Sequence, residues 1–337
     1  MKKLKTLFAF VLLSFTYSCT VDEEVDNSPT TILSILESSS NYSYLTYALQ
    51  KTNLDTSLNG SNVNDQYTLF APNNMAFSRF LADAGFNTID DVPVEILKKV
   101  LLNHVVVDVI RYRDFETGYF KTAAQYINGN SMRNLSIHIE QVNMRVTLNG
   151  EAMVTQGNVY ASNGVIHAVN RVIPLPSIVT FAKADKNLGV LLSALTRQDL
   201  TTDFASVLST GLGTSPAPFT VFAPTNQAFV DLLAELGISS LSEIDEPTLK
   251  ATLTYHVIGE LNAYSTDLSD NLELNTLGGP ITANITGGAT LTDGNNRVSN
   301  IIAVDIQANN GVIHVIDKVI PVSYTHLRAH ETDSYLV

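Results

Sequence analysis

The sequence predicts an α+β fold, built as two tandem copies of one domain type. Two observations carry this prediction. The chain has 337 residues, 45% of them hydrophobic, so it can form two domains with cores of their own, and disorder over the whole chain is excluded. The same motifs also occur twice in the same order, and in each copy helical periodicity precedes strand periodicity.

The repeat rests on three pairs of matching segments. The distance between the copies far exceeds the ~20–50 residues of solenoid repeats, so the unit that recurs is a whole domain. The segments place the domains at residues 31–176 and 177–322, with almost no linker between them. The matches are residues 67–77 with 219–229, 103–105 with 255–257, and 163–169 with 310–316.

Each repeat is predicted to begin its main helix directly after an Ala-Pro pair. Apolar residues there recur at i, i+3, i+4 and i+7, the spacing of an amphipathic helix. Asn73 and Thr225 can cap the first turn, and Gly85 and Gly237 follow the last turn, where a left-handed residue is needed. Further helices are predicted over residues 93–104 and 247–256, and over 188–195 with a noisier counterpart at 45–49.

The later half of each repeat changes to strand periodicity. Residues 135–139 and 145–148 alternate, and β-branched runs at 165–173 and 312–320 end at prolines. Asn-Gly pairs at 149–150, 163–164 and 310–311 are signals for hairpin turns. Helices followed by strands within one unit indicate the α+β class.

Together these motifs resemble the fasciclin (FAS1) domain family, twice over residues 31–322. The resemblance rests on Phe-Thr-Val-Phe-Ala-Pro-Thr-Asn-x-Ala-Phe, a Tyr-His pair, and Asn-Gly-Val-Ile-His-Val-Ile-Asp-x-Val-Ile-Pro. It implies a wedge of β-strands that carries a group of helices, an extracellular or surface-tethered location, and adhesion or matrix interaction as the usual role. The positions that match the structural motif are Phe70, Pro72, Phe77, His167, Phe222, Pro224, Phe229 and His314.

Some animal members of that family are linked to receptor binding through the Tyr-His segment. The resemblance therefore implies a binding role for Tyr255 and His256, and for His104, which follows Asn103 instead of a tyrosine. The residues themselves favour a structural interpretation. His104 and His256 follow apolar residues at helical spacing, and the histidine of the third motif lies in an apolar strand. We expect partly buried neutral imidazoles that hydrogen-bond the backbone and fix the join between helices and sheet, rather than metal ligands or a catalytic base.

Signatures of enzymes are absent from the sequence. It has no G-x-S-x-G elbow, no H-E-x-x-H zinc motif, no phosphate loop and no dinucleotide fingerprint. The one cysteine excludes an internal disulfide framework and cysteine-rich zinc modules. We therefore expect no enzymatic activity, no cofactor and no metal.

The N-terminus has the parts of a bacterial lipoprotein signal, which it resembles. Three lysines precede an apolar run over residues 7–13, which is too short to cross a bilayer, and Ser18-Cys19 follows. The resemblance implies a signal peptide over residues 1–18 and lipidation of Cys19. The acids Asp22, Glu23 and Glu24 in the acidic tether over 19–30 resemble the signal that exports Bacteroidetes-type lipoproteins, which implies an outer membrane lipoprotein exposed on the cell surface. An ordinary signal peptide is the alternative.

The charge balance is acidic, with 20 Lys+Arg against 33 Asp+Glu. Removing residues 1–18 takes away three lysines and no acid, which leaves 17 against 33. Nucleic acid is therefore disfavoured as a partner, and membrane attachment must come from the lipid anchor rather than from charge.

Two functional hypotheses follow. The leading one is a non-enzymatic cell-surface adhesion or interaction lipoprotein whose partner is a surface or matrix protein or a polysaccharide. The alternative is a glycan-binding accessory lipoprotein of a surface uptake system. Tyr42, Tyr44 and Tyr47 are candidates for stacking on a sugar or anchoring a protein, and they could equally close the rim of a core.

Residues 323–337 are expected to be a tail outside the second domain. The family pattern ends near residue 322, and residues 323–332, when back-translated, resemble a sequencing adaptor read as coding sequence. We therefore draw no metal site from His326 and His330, although they have the i, i+4 spacing of a helical ligand pair.

Overall fold

The computed structural model describes residues 30–59 and 66–321. The predicted signal peptide, Cys19, the tether up to residue 29 and the tail at 323–337 lie outside the described residues. Within the two described ranges no helix is both long and apolar enough to cross a membrane. The chain forms two domains of one plan, each with helices packed on β-strands, so the predicted α+β class is confirmed.

Both domains use the same order of elements. In the first domain the helices are α1 (Ile32–Glu37), α2 (Ser43–Lys51), α3 (Asp55–Leu58), α4 (Asn74–Asp83) and α5 (Val94–Leu102). Its strands are β1 (Tyr67–Pro72), β2 (Val105–Val106), β3 (Gly118–Asn128), β4 (Ser131–Val142), β5 (Arg145–Leu148), β6 (Ala152–Ala161) and β7 (Gly164–Val169).

The second domain repeats this series. Its helices are α6 (Ile178–Ala184), α7 (Gly189–Leu195), α8 (Phe204–Val207), α9 (Asn226–Leu236) and α10 (Glu246–Tyr255). Its strands are β8 (Phe219–Pro224), β9 (Val257–Gly259), β10 (Leu272–Thr276), β11 (Gly279–Asn284), β12 (Thr290–Thr292), β13 (Val298–Ala308) and β14 (Gly311–Ile316).

The central strands β1 and β8 lie in the helical half of each repeat, where the sequence did not predict a strand. β1 pairs in parallel with β7 and antiparallel with β2, and β8 pairs in the same way with β14 and β9. Successive residues of a strand point to opposite faces. Leu69 and Val221 therefore pack among the helices, whereas Phe70 and Phe222 pack among the strands. Each domain thus has two apolar cores that share one central strand.

The two domains differ in how the strands close. In the first domain β1 to β7 form a closed barrel, in which β2 pairs with β3 through Val106 and Thr122. In the second domain the equivalent sheet runs β10-β11-β12-β13-β14-β8-β9 and stays open between β9 and β10. There, the Leu277 amide donates to the Val257 carbonyl at 2.8 Å, which connects the two edges without forming a ladder.

The Asn-Gly pairs at 163–164 and 310–311 form hairpins as predicted, although for a different reason. A Cβ on Gly164 would lie 2.0 Å from the carbonyl oxygen of Tyr67, and one on Gly311 would lie 2.3 Å from that of Phe219. The parallel strand therefore approaches too closely for any side chain. The Asn163 side chain accepts from the first amide of α1 at 2.9 Å and donates to the carbonyl that ends α3 at 2.6 Å, so it ties the helices to the sheet.

The domains meet where β13 of the second lies beside β4 of the first. The ammonium group of Lys121 donates to the carbonyl oxygen of Asp305 at 2.5 Å and to the hydroxyl of Tyr264 at 3.2 Å. The backbone amide of Gln307 donates to the hydroxyl of Ser136 at 3.0 Å. These bonds join strands of different domains side by side.

Tyr119 forms a second contact between the domains. Its ring packs edge-on against Phe181 of α6, with the ring centroids 5.4 Å apart. Its hydroxyl donates to the buried carboxylate of Asp185 at 3.0 Å. Because the phenol fills an apolar site and also satisfies a buried carboxylate, this contact fixes one orientation of the domains.

Candidate functional site

His104 and His256 lie just beyond α5 and α10 and make the same pair of hydrogen bonds. Nδ1 of each ring donates to the helical carbonyl four residues earlier, at 2.7 Å. Nε2 accepts from a backbone amide just after the last strand of the domain: that of Ile173 at 2.8 Å and that of Ile320 at 2.9 Å. Because an amide can only donate, Nε2 carries no proton and the neutral Nδ1–H tautomer is required.

Both nitrogens of each imidazole are therefore hydrogen-bonded to the main chain. Each is buried, and burial lowers the pKa of each to about 4, so both rings are neutral at pH 7. They clamp the end of a helix to the segment that leaves the sheet. Neither ring presents a free nitrogen to a partner in this arrangement.

Asn103 and Tyr255, the residues before these histidines, play different parts. Tyr255 is half-buried and packs against the glycine turn between β10 and β11, where a Cβ on Gly278 would lie 2.6 Å from its ring. Asn103 is fully buried, and its side-chain amide donates to the carbonyl of Pro174 at 3.0 Å. Of the residues to which the resemblance implies a binding role, Tyr255, His256 and His104, only Tyr255 is not fully buried.

His167 and His314 are buried in β7 and β14. Nε2 of each ring donates to a backbone carbonyl, at 2.8 Å and 2.9 Å, and burial lowers the pKa of both. Their rings lie 6.0 and 5.8 Å from those of Phe70 and Phe222, measured between centroids. The prediction that the four repeated histidines hydrogen-bond the backbone is confirmed, and they are fully rather than partly buried.

The remaining residues of the structural motif build the join between helices and strands. The prolines end β1 and β8, directly before the caps Asn73 and Thr225. The cap side chains accept from the amides three residues further on, at 2.9 and 3.2 Å, as predicted. The buried phenylalanines and the strand-ending prolines are Phe70, Pro72, Phe77, Phe222, Pro224 and Phe229.

The three tyrosines near α2 occupy different environments. Tyr42 is half-buried against the helical core, so it closes a core rim. Tyr44 and Tyr47 are 40% and 45% exposed and line a groove of about 360 Å³. The Tyr47 hydroxyl donates to Asp90 at 2.7 Å. Sequence reasoning missed Asp90, because no spacing rule connects it with a tyrosine 43 residues earlier.

The exposed side chains that line this groove provide two aromatic rings, several hydroxyls, one amide and one carboxylate. Within residues 30–59 and 66–321, no three His, Cys, Asp or Glu side chains are grouped so that they could hold a metal ion. This arrangement suits non-covalent recognition of a ligand with both apolar and hydrogen-bonding surface.

Comparison with known proteins matches the fasciclin domain model to residues 40–176 and 186–322. Human periostin is 28% identical over 256 residues, which cover 75% of this chain and 28% of periostin. Protein sll1735 of Synechocystis is 36% identical over 150 residues, which cover 43% of this chain and 98% of that protein. A solved FAS1 domain pair from the insect cell adhesion molecule Fasciclin I is 19% identical and covers 82% of this chain and 97% of that chain, with a TM-score of 0.49.

Proposed function

The chain belongs to the fasciclin domain family, and from this premise we propose that it is a non-enzymatic adhesion or interaction protein of the cell surface. The observation that carries the proposal is the pair of fasciclin domains that makes up most of the chain. Adhesion or matrix interaction is the role that membership of this family implies. The partner would be a surface or matrix protein or a polysaccharide.

Two features of the domains support a binding role over catalysis. The repeated histidines hydrogen-bond the main chain, so they are not poised as bases or nucleophile partners. The contact between the domains through Lys121 and Tyr119 holds them at a fixed spacing. Surfaces on both domains can therefore bind one extended partner without the entropic cost of ordering a linker.

For the Tyr-His segment we propose a division of labour. Tyr255 would be the contact residue, because among Tyr255, His256 and His104 it is the one that is not fully buried. His256 and His104 would act as positioning residues that support the segment through their backbone bonds. In an adhesion assay Tyr255→Ala should then reduce binding by the chain that is still folded, although the loss of packing against Gly278 also lowers the melting temperature. His256→Ala should lower the melting temperature and leave binding by the folded chain unchanged.

The test of the function compares cells that display the protein with cells that lack it. Surfaces coated with matrix protein or with polysaccharide are offered to both, and the soluble chain carrying Cys19→Ser is added as a competitor. Displaying cells should adhere more strongly to one coating, and the competitor should abolish the difference. Equal adhesion of both cells to every coating would refute the proposal, and turnover lost on His256→Ala with the fold intact would favour a hydrolase.

The location is a separate proposal: a secreted lipoprotein, anchored in the outer membrane through Cys19 and exposed at the surface. One acyl chain binds a membrane only reversibly, so at least two are needed for stable anchoring. Cys19→Ala should release the protein from the membrane fraction. Replacing Asp22, Glu23 and Glu24 by alanine should leave it lipidated but protected from protease added to whole cells. A Cys19→Ala protein that stays in the membrane fraction would contradict the anchor.

A further inference from the structure

The groove beside α2 in the first domain carries exposed tyrosines that the fold does not require. Its lining includes Tyr44 and Tyr47 from α2 and Asn87, Thr88 and Asp90 from the segment after α4. The volume of about 360 Å³ matches one or two rings of a small ligand. All five side chains are exposed, so a ligand can reach them from solvent.

Both tyrosine rings are held in place before any ligand arrives. The ring of Tyr44 rests edge-on against Phe77, with centroids 6.4 Å apart. The hydroxyl of Tyr47 is bonded to Asp90 at 2.7 Å. Binding therefore does not have to immobilise two flexible side chains, which reduces its entropic cost.

The second domain has the same scaffold without the rings. Val190 and Ser193 of α7 stand where α2 carries Tyr44 and Tyr47. The amide of Val190 donates to the side chain of the first residue of α9 at 2.8 Å, just as that of Tyr44 donates to the first residue of α4 at 3.0 Å. The fold thus needs the backbone at this position but not the aromatic rings.

Charges in the groove favour a neutral ligand. Hydrogen bonds from Lys51 and Tyr47, both at 2.7 Å to Oδ1, hold the pKa of Asp90 below its usual range, so the carboxylate stays ionised. Its Oδ2 accepts from no described residue and is open to a donor from a ligand. Lys51 is only 18% exposed and offsets the charge of Asp90, so a cation in the groove would meet a nearby ammonium group.

We propose that this groove binds a pyranose unit of a neutral polysaccharide. The apolar C–H face of the sugar would stack on Tyr44 and Tyr47, and its hydroxyl edge would bond Asp90 and Asn87. A pyranose ring presents an apolar face and a polar edge, and the groove offers aromatic rings and hydrogen-bonding side chains. This inference rests on the proposed function and selects, from its possible partners, a polysaccharide.

The test uses the full chain carrying Cys19→Ser and a panel of neutral pentasaccharides of glucose, mannose and galactose, measured by titration calorimetry. At least one should bind with a Kd between micromolar and millimolar. The double variant Tyr44→Val/Tyr47→Ser copies the second domain and should therefore fold, yet it should weaken binding at least tenfold. Met132→Ala, at a side chain 55% exposed on the β3–β4 hairpin, is the matched control and should leave binding unchanged.

Three outcomes overturn the inference: no pentasaccharide binds, binding survives the double variant, or tetramethylammonium binds at the tyrosines while the sugars do not. Adhesion of cells separates these failures from failure of the function. Cells that display the double variant and still adhere like wild type to protein coatings retain the proposed function but not this site. Absence of adhesion in wild-type cells is the failure of the function itself.

Discussion

Acidification should loosen both domains through the two histidine clamps, and the effect can be calculated. The pKa of His104 and of His256 is about 4 in the folded chain, against an ordinary value of 6.5. Between these values the unfolded chain binds a proton that the folded chain does not, so the stabilisation is complete above pH 6.5 and is lost as the pH falls towards 4. At pH 5 this linkage amounts to about 2 kcal/mol for each histidine.

His256→Gln isolates this contribution from those of the many carboxylates. At pH 7 the variant should unfold with a free energy lower by ~1–3 kcal/mol, because the buried Ile320 amide loses its acceptor. At pH 5 the wild type has lost about 2 kcal/mol of its free energy of unfolding through His256, whereas the variant has not. The gap, which is the difference in free energy of unfolding between wild type and variant, should therefore narrow by that amount. Urea unfolding at both pH values measures the gap, and long-range ¹⁵N NMR of the ring reports the tautomer.

A gap that stays constant from pH 7 to pH 5 would refute the reasoning. It would mean that the folded chain protonates His256 as readily as the unfolded chain does, which is incompatible with Nε2 accepting a backbone hydrogen bond. A ring spectrum of the Nε2–H tautomer at pH 7 would contradict the clamp in the same way. Either result would mean that His256 does not hydrogen-bond the backbone segment after β14.

Further substitutions test other contacts. Gly311→Ala would place a Cβ 2.3 Å from a carbonyl oxygen of β8 and should cost about 2–4 kcal/mol in urea unfolding, whereas Gly118→Ala, with open space around its Cβ, should cost less than ~1 kcal/mol. Asn103→Ala should cost ~1–3 kcal/mol because the Pro174 carbonyl loses its donor, and a loss below ~0.5 kcal/mol would contradict that bond. Tyr119→Ala should broaden the distribution of interdomain distances in small-angle scattering, and an unchanged profile would show that the contact between the domains does not depend on it.

Much of each domain could be predicted because its signals are local. The helix after Ala-Pro follows from apolar spacing, its start from Asn73 or Thr225, and its end from Gly85 or Gly237. The glycines after the helices take positive φ angles, as a left-handed position requires. All these features depend on residues within a few turns of one another, so the start, the course and the end of this helix can be predicted from the sequence.

Long-range pairing lay beyond the sequence. β1 lies among helices along the chain, yet it pairs in parallel with β7 almost a hundred residues later, and neither partner carries a local signal for that pairing. The barrel closes in the first domain and not in the second, although the motifs of the two repeats match. The sequence also carried no signal for the contact between the domains. Lys121 and Tyr119 have the features of ordinary strand residues, and only the packing of the second domain gives them their partners.

The candidate site divides along the same line. The sequence by itself singled out Tyr42, Tyr44 and Tyr47 as candidates and predicted a noisier helical segment at 45–49, which begins one residue after Tyr44. The structure extends that helix to Ser43–Lys51, so Tyr44 and Tyr47 lie one turn apart on it. Only the tertiary structure decided that Asp90 faces them and that Lys51 offsets its charge. The physical reason is that helical spacing follows from local backbone geometry, whereas the approach of Asp90 depends on how α2, α4 and the turn at Ile89–Asp91 pack around a shared core.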